Sequence, residues 1–240
     1  MKTVRRKARK TMKRLITVRL FLFAVVIALN WRASVIVAAP AAELPVVFTD
    51  NFANGAERWQ PSDPRAWKVI ETTTGKAFSQ YQQSKYNPPH RSPFNFALVK
   101  DLSVGDFILD AKLQSTARDY PHRDMCLFFG YHDPAHFYYV HLGQKTDDHA
   151  NQIFIVNDAP RTKISIKTNP GTKWDHDWHN VRLVRKVSDG TIEVYFDDMK
   201  NAALTATDKT FTWGQIGIGS FDDTGNWTDI RLRGIKIDKK

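Results

Sequence analysis

From residue 46 onward, apolar and polar residues alternate in short runs, and turn-forming residues separate these runs about every eight to twelve positions. The alternation is clearest in residues 105–115, where every second position is apolar. These apolar positions are Phe107, Leu109, Ala111 and Leu113. A period of two places successive side chains on opposite faces of a strand, so the pattern predicts half-buried β-strands. We expect about a dozen strands and no helix in this part of the chain.

Turn chemistry favours an antiparallel arrangement of these strands. Residues 178–187 and 191–196 are apolar at alternate positions, and Asp189-Gly190 between them is a strong β-hairpin signal. Many short antiparallel strands favour two stacked sheets over a small closed barrel. The predicted fold class is therefore all-β, a two-sheet antiparallel β-sandwich, and no internal repeat or linker divides it.

The net positive charge is concentrated near the N-terminus. The chain carries 35 Lys and Arg residues against 25 Asp and Glu residues. Ten of the basic residues and none of the acidic ones lie in residues 1–42, so residues 43–240 hold 25 of each sign. A nucleic-acid-binding domain needs a basic face to neutralise phosphates. The charge therefore gives no support to nucleic acid as a partner.

Residues 1–42 have the composition of a secretory signal peptide. A basic segment precedes the apolar run LFLFAVVIAL, and small residues follow in VIVAAPAAE. The apolar run is about ten residues long, whereas a membrane-spanning helix needs roughly twenty. We therefore predict a cleaved signal peptide over residues 1–42 and one domain over residues 43–240. The mature chain is expected to have no stable membrane span and to be extracytoplasmic, either periplasmic or secreted.

Several segments resemble concanavalin A-like (laminin-G-like) jelly rolls. The opening VVFTDNFANGAERWQP, the hairpin FFGYHDPAHFYYVHLG, and the closing stretches WHNVRLVRKVSDGTIEVYFDDMK and GQIGIGSFDDTGNWTDIRLRG carry the resemblance. It covers residues 46–237 and is nearest to the 3-keto-disaccharide hydrolase-like domains of exported bacterial proteins. It implies a jelly roll that handles carbohydrate. It also implies a structural Ca²⁺ between the first and last strands, with Asp50 and Asp229 as ligands.

Two enzyme branches of this fold can be tested by their motifs. Family-sixteen glycoside hydrolases carry E-x-D-x-x-E on one strand, and no such string is present. Retaining hydrolysis needs two carboxyl groups about 5 Å apart, and no strand offers a same-face pair of Glu residues. Alginate-lyase-like jelly rolls carry Q-I-H, but here Phe154 follows Gln152 and Ile153, so the histidine is missing.

Residues 122–143 hold four of the eight histidines together with many aromatic residues. A four-residue turn at residues 132–135 would pair Phe128 with Tyr139 and Cys126 with His141. One face of the hairpin is then apolar. The other mixes aromatic and titratable side chains, namely Asp124, Cys126, Phe128, Phe137, Tyr139 and His141. Such a mixture suits the concave sheet of a sugar-binding sandwich, so we expect Tyr139 and His141 to face solvent together.

Candidate site residues follow from this face and from the polar, proline-containing segment 78–99. The predicted substrate-binding residues are Tyr139, Arg91, Lys85, Asp124 and Gln152. If the domain is an enzyme, His141 would act as a base and Arg123 would stabilise an enolate. A zinc site is the alternative use of the histidines, and its ligands would be His122, His141, His149 and Asp147.

Three functional hypotheses remain open from the sequence. The first is an exported carbohydrate-binding or carbohydrate-processing jelly roll that recognises an oligo- or polysaccharide on its concave sheet. The second is a glycoside hydrolase or lyase that acts on 3-keto-sugars. The third is a structural or adhesive domain of the cell envelope.

Overall fold

The computed structural model describes residues 43–238, so the signal peptide predicted over residues 1–42 lies outside the described residues. Sixteen strands and one short 3₁₀ helix, Pro64–Ala66, make up the described chain. In chain order the strands are β1 (Val46–Asp50), β2 (Trp59–Pro61), β3 (Trp67–Thr72), β4 (Gly75–Gln80), β5 (Asn95–Val99), β6 (Val104–Ser115), β7 (Asp124–Asp133), β8 (His136–Gly143), β9 (Gln152–Asn157), β10 (Thr162–Lys163), β11 (Ser165–Lys167), β12 (His179–Lys186), β13 (Thr191–Phe196), β14 (Leu204–Thr207), β15 (Gln215–Ser220) and β16 (Gly225–Lys236). The number exceeds the predicted dozen because β2, β10 and β11 are too short to show a pattern.

The strands form two antiparallel sheets, as the sequence predicts. The nine-stranded sheet has the order β11-β14-β13-β12-β6-β16-β4-β3, and β1 also pairs with β16. The seven-stranded sheet has the order β10-β9-β8-β7-β15-β5-β2. The predicted hairpin of β12 and β13 is confirmed, and Gly190 in its turn has a positive φ of 83°. The fold is a two-layer all-β sandwich.

The main core lies between the sheets and follows the predicted alternation. In β6 the four predicted apolar positions are buried, while the residues between them are half-buried. From the seven-stranded sheet the core receives Met125, Leu127, Phe129, Tyr138, Val140, Leu142 and Ile153. We call this side the inner face of that sheet. Burial of each such side chain stabilises the fold by about 1.5–3 kcal/mol relative to leaving it in water.

The β7–β8 hairpin keeps the predicted pairing in its body but differs at the turn. Phe128 pairs with Tyr139 and Cys126 with His141, as predicted, yet the last pair is Asp133 with His136. A bulge near Gly130 (φ 56°) absorbs the difference in register. A Cβ at Gly130 would lie 3.1 Å from the Tyr138 ring, so the bulge favours glycine for steric as well as conformational reasons.

The opposite side of the seven-stranded sheet, its outer face, carries a second buried cluster. This cluster is Phe96, Leu98, Cys126, Phe128, Tyr131, Phe137, Tyr139, Phe154 and Val156. Loops rather than a third sheet cover it. From residues 81–94, Tyr86 packs at 5.2 Å from Phe96, and Phe94 packs at 5.5 Å from Phe221. The outer face is therefore buried, and irregular loops cover it.

Within residues 43–238 we find no helix with the length and apolar character that crossing a membrane requires.

Candidate functional site

A small cleft opens between the loops that cover the outer face. Its volume is about 160 Å³, roughly the space of five water molecules. The cleft is lined by Arg91, Tyr120, His122, His141, His149, Arg161, Phe221 and Asp222, and we call it the outer-face cleft. Only His141 comes from within a strand, and the others come from the loops before β5 and β7 and after β8, β9 and β15. The sheet supplies the floor, and the loops supply most of the chemistry.

Tyr139 and His141 share the outer face, but they do not reach solvent as the sequence analysis expected. Tyr139 is 0% exposed and His141 is 3% exposed. That expectation is wrong because Arg161 and Phe221 lie over this part of the sheet. Arg161 Nη1 donates a 2.7 Å hydrogen bond to the Tyr139 hydroxyl, and Phe221 packs 6.1 Å from the His141 ring. Tyr139 therefore supports the site from below, and His141 alone lines the cleft.

Arg161 is the side chain that the sequence analysis missed. Its guanidinium carbon lies 4.6 Å from the centre of the Phe154 ring and 4.3 Å from that of Phe221. Nη2 donates to the His149 carbonyl at 3.1 Å. The aromatic rings and the two hydrogen bonds fix the guanidinium at the wall of the cleft. No local pattern singles out this arginine, because its partners come from two strands and two loops.

Arg91, predicted as a substrate-binding residue, does line the cleft. The Arg161 backbone N–H donates to the Arg91 carbonyl at 3.1 Å, which joins the loop before β5 to the loop after β9. His90 Nε2 and Asp158 Oδ1, 3.3 Å apart, add a second contact between these loops. Contacts between these two loops therefore hold Arg91 and Arg161 next to each other.

The histidines named for a zinc site gather at the cleft without forming a ligand set. His122 Nε2 lies 2.6 Å from Asp147 Oδ2, while His149 is exposed and lies in the same loop as Asp147. Burial raises the pKa of Asp147, but hydrogen bonds from the His149 N–H and from His122 outweigh it and lower that pKa overall. Among residues 43–238, the one group of three metal-ligating side chains close enough for an ion consists of Asp124, Asp222 and Asp223.

His141 lies beside the buried Asp124, with His141 Nε2 and Asp124 Oδ2 3.7 Å apart. Its Nδ1 accepts a long hydrogen bond of 3.4 Å from the Asn151 N–H. Burial, with the positive charges of Arg161 and His122, lowers the pKa of His141 to about 3. The imidazole is therefore neutral at pH 7.

Asp124 belongs to a cluster of three carboxylates beside the cleft. Its Oδ2 accepts from the Phe221 N–H at 2.8 Å and from Cys126 at 3.2 Å, while its Oδ1 is buried with no hydrogen-bond partner among the described residues. Burial, together with the charge of Asp223, raises the pKa of Asp124 well above its usual value. One oxygen from each of the three carboxylates lies within 4.8 Å of the other two.

Three other predicted site residues lie outside the lining of the cleft. Arg123 is buried, and it donates to Ser115 Oγ at 2.9 Å and to the Asp175 carbonyl, so it ties β6 to a loop. Gln152 is buried, and its Nε2 donates to the Asp147 carbonyl at 2.7 Å. Lys85 is exposed on the loop before β5. The structure thus brings together Arg91 and His141, with Tyr139 and Asp124 just beneath them.

The predicted calcium ligands, Asp50 and Asp229, line a separate cleft of about 640 Å³ on the nine-stranded sheet. Asp50 accepts a hydrogen bond from Trp59 Nε1 and pairs with Arg58 at 3.0 Å. Asp229 pairs with Lys112 at 2.9 Å. Both carboxylates therefore have a basic partner already.

No protein-family model matches the sequence, and no curated protein is significantly similar to it. Solved structures share its fold. The carbohydrate binding module CBM66 from Bacillus subtilis is 15% identical, with a TM-score of 0.54 over 74% of this chain and 96% of the module. A GH43 protein from Bacillus licheniformis is 10% identical, with a TM-score of 0.55 over 82% of this chain and 41% of that protein. The seed lectin of Lotus tetragonolobus is 10% identical, with a TM-score of 0.50 over 80% of this chain and 99% of the lectin. Likeness at these identities extends to the jelly-roll fold alone.

Proposed function

We propose that this chain is an exported carbohydrate-binding domain and that the outer-face cleft holds one sugar unit of an oligo- or polysaccharide. The observation that carries the proposal is the lining of the cleft, where aromatic rings and hydrogen-bonding side chains converge on about 160 Å³. A space of this size suits a single sugar unit rather than a longer segment of glycan. The site therefore sits at the loops and not on an open sheet surface.

The lining matches the chemistry of a sugar. Phe221 and Tyr120 offer aromatic rings that can cover the apolar face of a sugar ring. The guanidinium groups and His149 offer donors, and Asp222 offers acceptors for hydroxyl groups. A cleft that combines apolar walls with a few fixed polar groups is the usual form of a small-ligand site.

Fold likeness agrees with this proposal but does not carry it. The compared structures include one named as a carbohydrate binding module and one named as a lectin. One fold serves many functions, so the cleft itself is the feature that indicates sugar binding.

A glycan array with wild type and two matched variants tests the proposal. His149→Ala removes an exposed side chain from the cleft, and His176→Ala removes an exposed histidine outside its lining. We expect wild type to retain at least one glycan, His149→Ala to weaken retention about fivefold or more, and His176→Ala to match wild type. Equal retention by all three proteins would contradict the site. Retention of no glycan by wild type would favour a structural or adhesive envelope domain.

Export is part of the proposal and is supported by the composition of residues 1–42. We expect the mass of the mature protein, recovered from the periplasm or the medium, to correspond to a chain that starts near residue 43. Recovery of the uncleaved chain from the cytoplasm would contradict this part.

The second candidate function is a glycoside hydrolase or lyase acting on 3-keto-sugars, and the position of His141 favours it. A general base must reach the proton that it removes, and His141 is the one strand residue whose side chain lines the cleft. Arg161 lines the same cleft and could stabilise an enolate, whereas Arg123 does not line it. Turnover of a 3-keto-disaccharide by wild type, lost in His141→Gln with ligand binding retained, would support this function. Binding without turnover by wild type would exclude it.

A structural Ca²⁺ between the first and last strands stays a prediction. Ca²⁺ takes six to eight oxygen ligands, so an ion at Asp50 and Asp229 would compete with Arg58 and Lys112 for their carboxylates. The test compares the Tm of wild type and Asp229→Asn in Ca²⁺ and in a chelator. A calcium-dependent rise in Tm that Asp229→Asn abolishes would support the site, and a rise that survives the substitution would place the ion elsewhere.

A further inference from the structure

The outer-face cleft contains a guanidinium that has no anionic partner among residues 43–238. Arg161 is half-buried, yet no carboxylate oxygen lies within 4.0 Å of it, whereas fourteen other pairs of basic and acidic groups reach that distance. Taking a positive charge partly out of water costs free energy unless an opposite charge compensates it. The site therefore holds a guanidinium that makes no direct ion pair with the described residues.

The position of Arg161 is fixed in advance of any ligand. Of its five N–H groups, one donates to the Tyr139 hydroxyl and one to the His149 carbonyl. The other three have no acceptor among the described residues. Because Phe154 and Phe221 both pack against the guanidinium, these free donors can meet an acid group with little loss of side-chain entropy.

A second arginine lines the same cleft. Arg91 is exposed, lines the same cleft, and makes neither an ion pair nor a side-chain hydrogen bond with the described residues. The backbone hydrogen bond from Arg161 to Arg91 holds the two residues together. Two neighbouring unpaired arginines are the usual means of holding a carboxylate or sulfate.

The lining also contains one carboxylate, and its position defines how a ligand would be oriented in the cleft. Asp222 also lines the cleft, but it lies beyond ion-pair distance of both arginines. A carboxylate accepts hydrogen bonds and does not donate them when ionised, so it suits the hydroxyl groups of a sugar. Of the three histidines in the lining, His122 is already engaged with Asp147.

We propose that the outer-face cleft selects an acidic sugar, with the acid group of the ligand on Arg161 and Arg91 and its hydroxyl groups toward Asp222. The acid group is a carboxylate, as in a uronic acid, or a sulfate ester, since both present oxygens to a guanidinium in the same way. This inference rests on the proposed function and names the class of glycan.

The first experiment is an array that carries neutral, carboxylated and sulfated glycans. We expect the retained glycans to be acidic. Retention of neutral glycans alone would contradict the preference for acidic sugars but not carbohydrate binding. Retention of no glycan would contradict both the preference and carbohydrate binding. Separate carboxylated and sulfated sets decide which acid group the cleft takes.

The second experiment compares the best-retained glycan with its uncharged form, the methyl ester or the desulfated sugar, by calorimetry. We expect the charged form to bind about tenfold tighter or more, because hydrogen bonds to charged groups contribute more than neutral ones. Equal affinity of the two forms would overturn the inference.

Variants place the effect on the two arginines. Arg91→Gln, at an exposed position, should remove most of the preference, because it should weaken binding of the charged form much more than binding of the uncharged form. Arg161→Lys keeps the charge but loses the planar fork, and it should also reduce the preference. Arg231→Gln, at an exposed position of β16, is the control and should match wild type. A preference that persists in both Arg91→Gln and Arg161→Lys would contradict the assignment.

Discussion

Both faces of the seven-stranded sheet are buried, yet they are buried by different means. On the inner face, Leu127 and its neighbours meet the apolar side chains of the nine-stranded sheet. On the outer face, Cys126 and Tyr139 lie under loops that bring an arginine, carboxylates and histidines with them. A sheet covers its partner evenly, whereas loops leave gaps. The cleft exists because the outer face is closed by loops.

The two faces of the β7–β8 hairpin therefore have different roles. Alternate residues of β7 and β8 belong to one face or the other, so neighbours in sequence have different roles. The inner residues stabilise the sandwich. The outer residues position the groups that line the cleft.

Neighbouring substitutions in β7 should show the largest contrast. Leu127→Ala on the inner face should lower the free energy of unfolding by about 2–5 kcal/mol, because it removes methyl groups from a core that cannot close around the cavity. Cys126→Ala on the outer face removes fewer atoms and should cost about 1 kcal/mol. Urea denaturation measures both, and a loss in Leu127→Ala no larger than that in Cys126→Ala would contradict close packing around Leu127 between the sheets.

The buried histidine should make the outer face sensitive to acid. The folded-state pKa of His141 is about 3 and its ordinary value is 6.5, so the unfolded chain binds a proton first as the pH falls. The contribution of His141 to the free energy of unfolding is therefore fully present above pH 6.5 and is lost progressively toward pH 3. Between pH 7 and pH 4.5 this loss should lower the free energy of unfolding by about 2–3 kcal/mol.

His141→Gln removes the pH-dependent contribution of His141, and the variant keeps the other titrating groups of wild type. We therefore expect the loss of stability between pH 7 and pH 4.5 to be about 2–3 kcal/mol smaller in the variant than in wild type. Urea denaturation at the two pH values measures the difference. Parallel pH profiles would show that folding does not lower the pKa of His141.

A smaller effect should come from the hydroxyl that holds Arg161. Tyr139→Phe keeps the ring but removes the acceptor of the 2.7 Å hydrogen bond, and it should cost about 1 kcal/mol of stability. It should also weaken binding of an acidic glycan several-fold, because Arg161 loses part of its support. Tyr195→Phe, which removes a hydroxyl bonded to Glu193 on the nine-stranded sheet, is the control and should leave glycan binding unchanged.

Much of the fold follows from the sequence. The alternation in β6 and the Asp-Gly turn of the β12–β13 hairpin identify strands and pairing, because both signals are local. The same local logic predicts that Phe128 faces Tyr139 and that the two sides of this hairpin differ in chemistry.

Local sequence patterns do not identify the residues that cover each face of the β7–β8 hairpin. Arg161 lies 22 positions from Tyr139, and the approach of its loop depends on contacts with residues 81–94 that no local pattern encodes. The same limit explains Arg123, which has the composition of a site residue but is directed toward Ser115 and Asp175 by tertiary packing. Sequence patterns identify faces, and tertiary contacts decide which of them meet solvent.

The most direct test of the outer-face cleft follows backbone amide chemical shifts by NMR while an acidic glycan retained on the array is added. We expect the largest changes at Arg91, His149, Arg161, Phe221 and Asp222, and no change in the nine-stranded sheet. Changes confined to the cleft at Asp50 and Asp229, or to another part of the nine-stranded sheet, would contradict it.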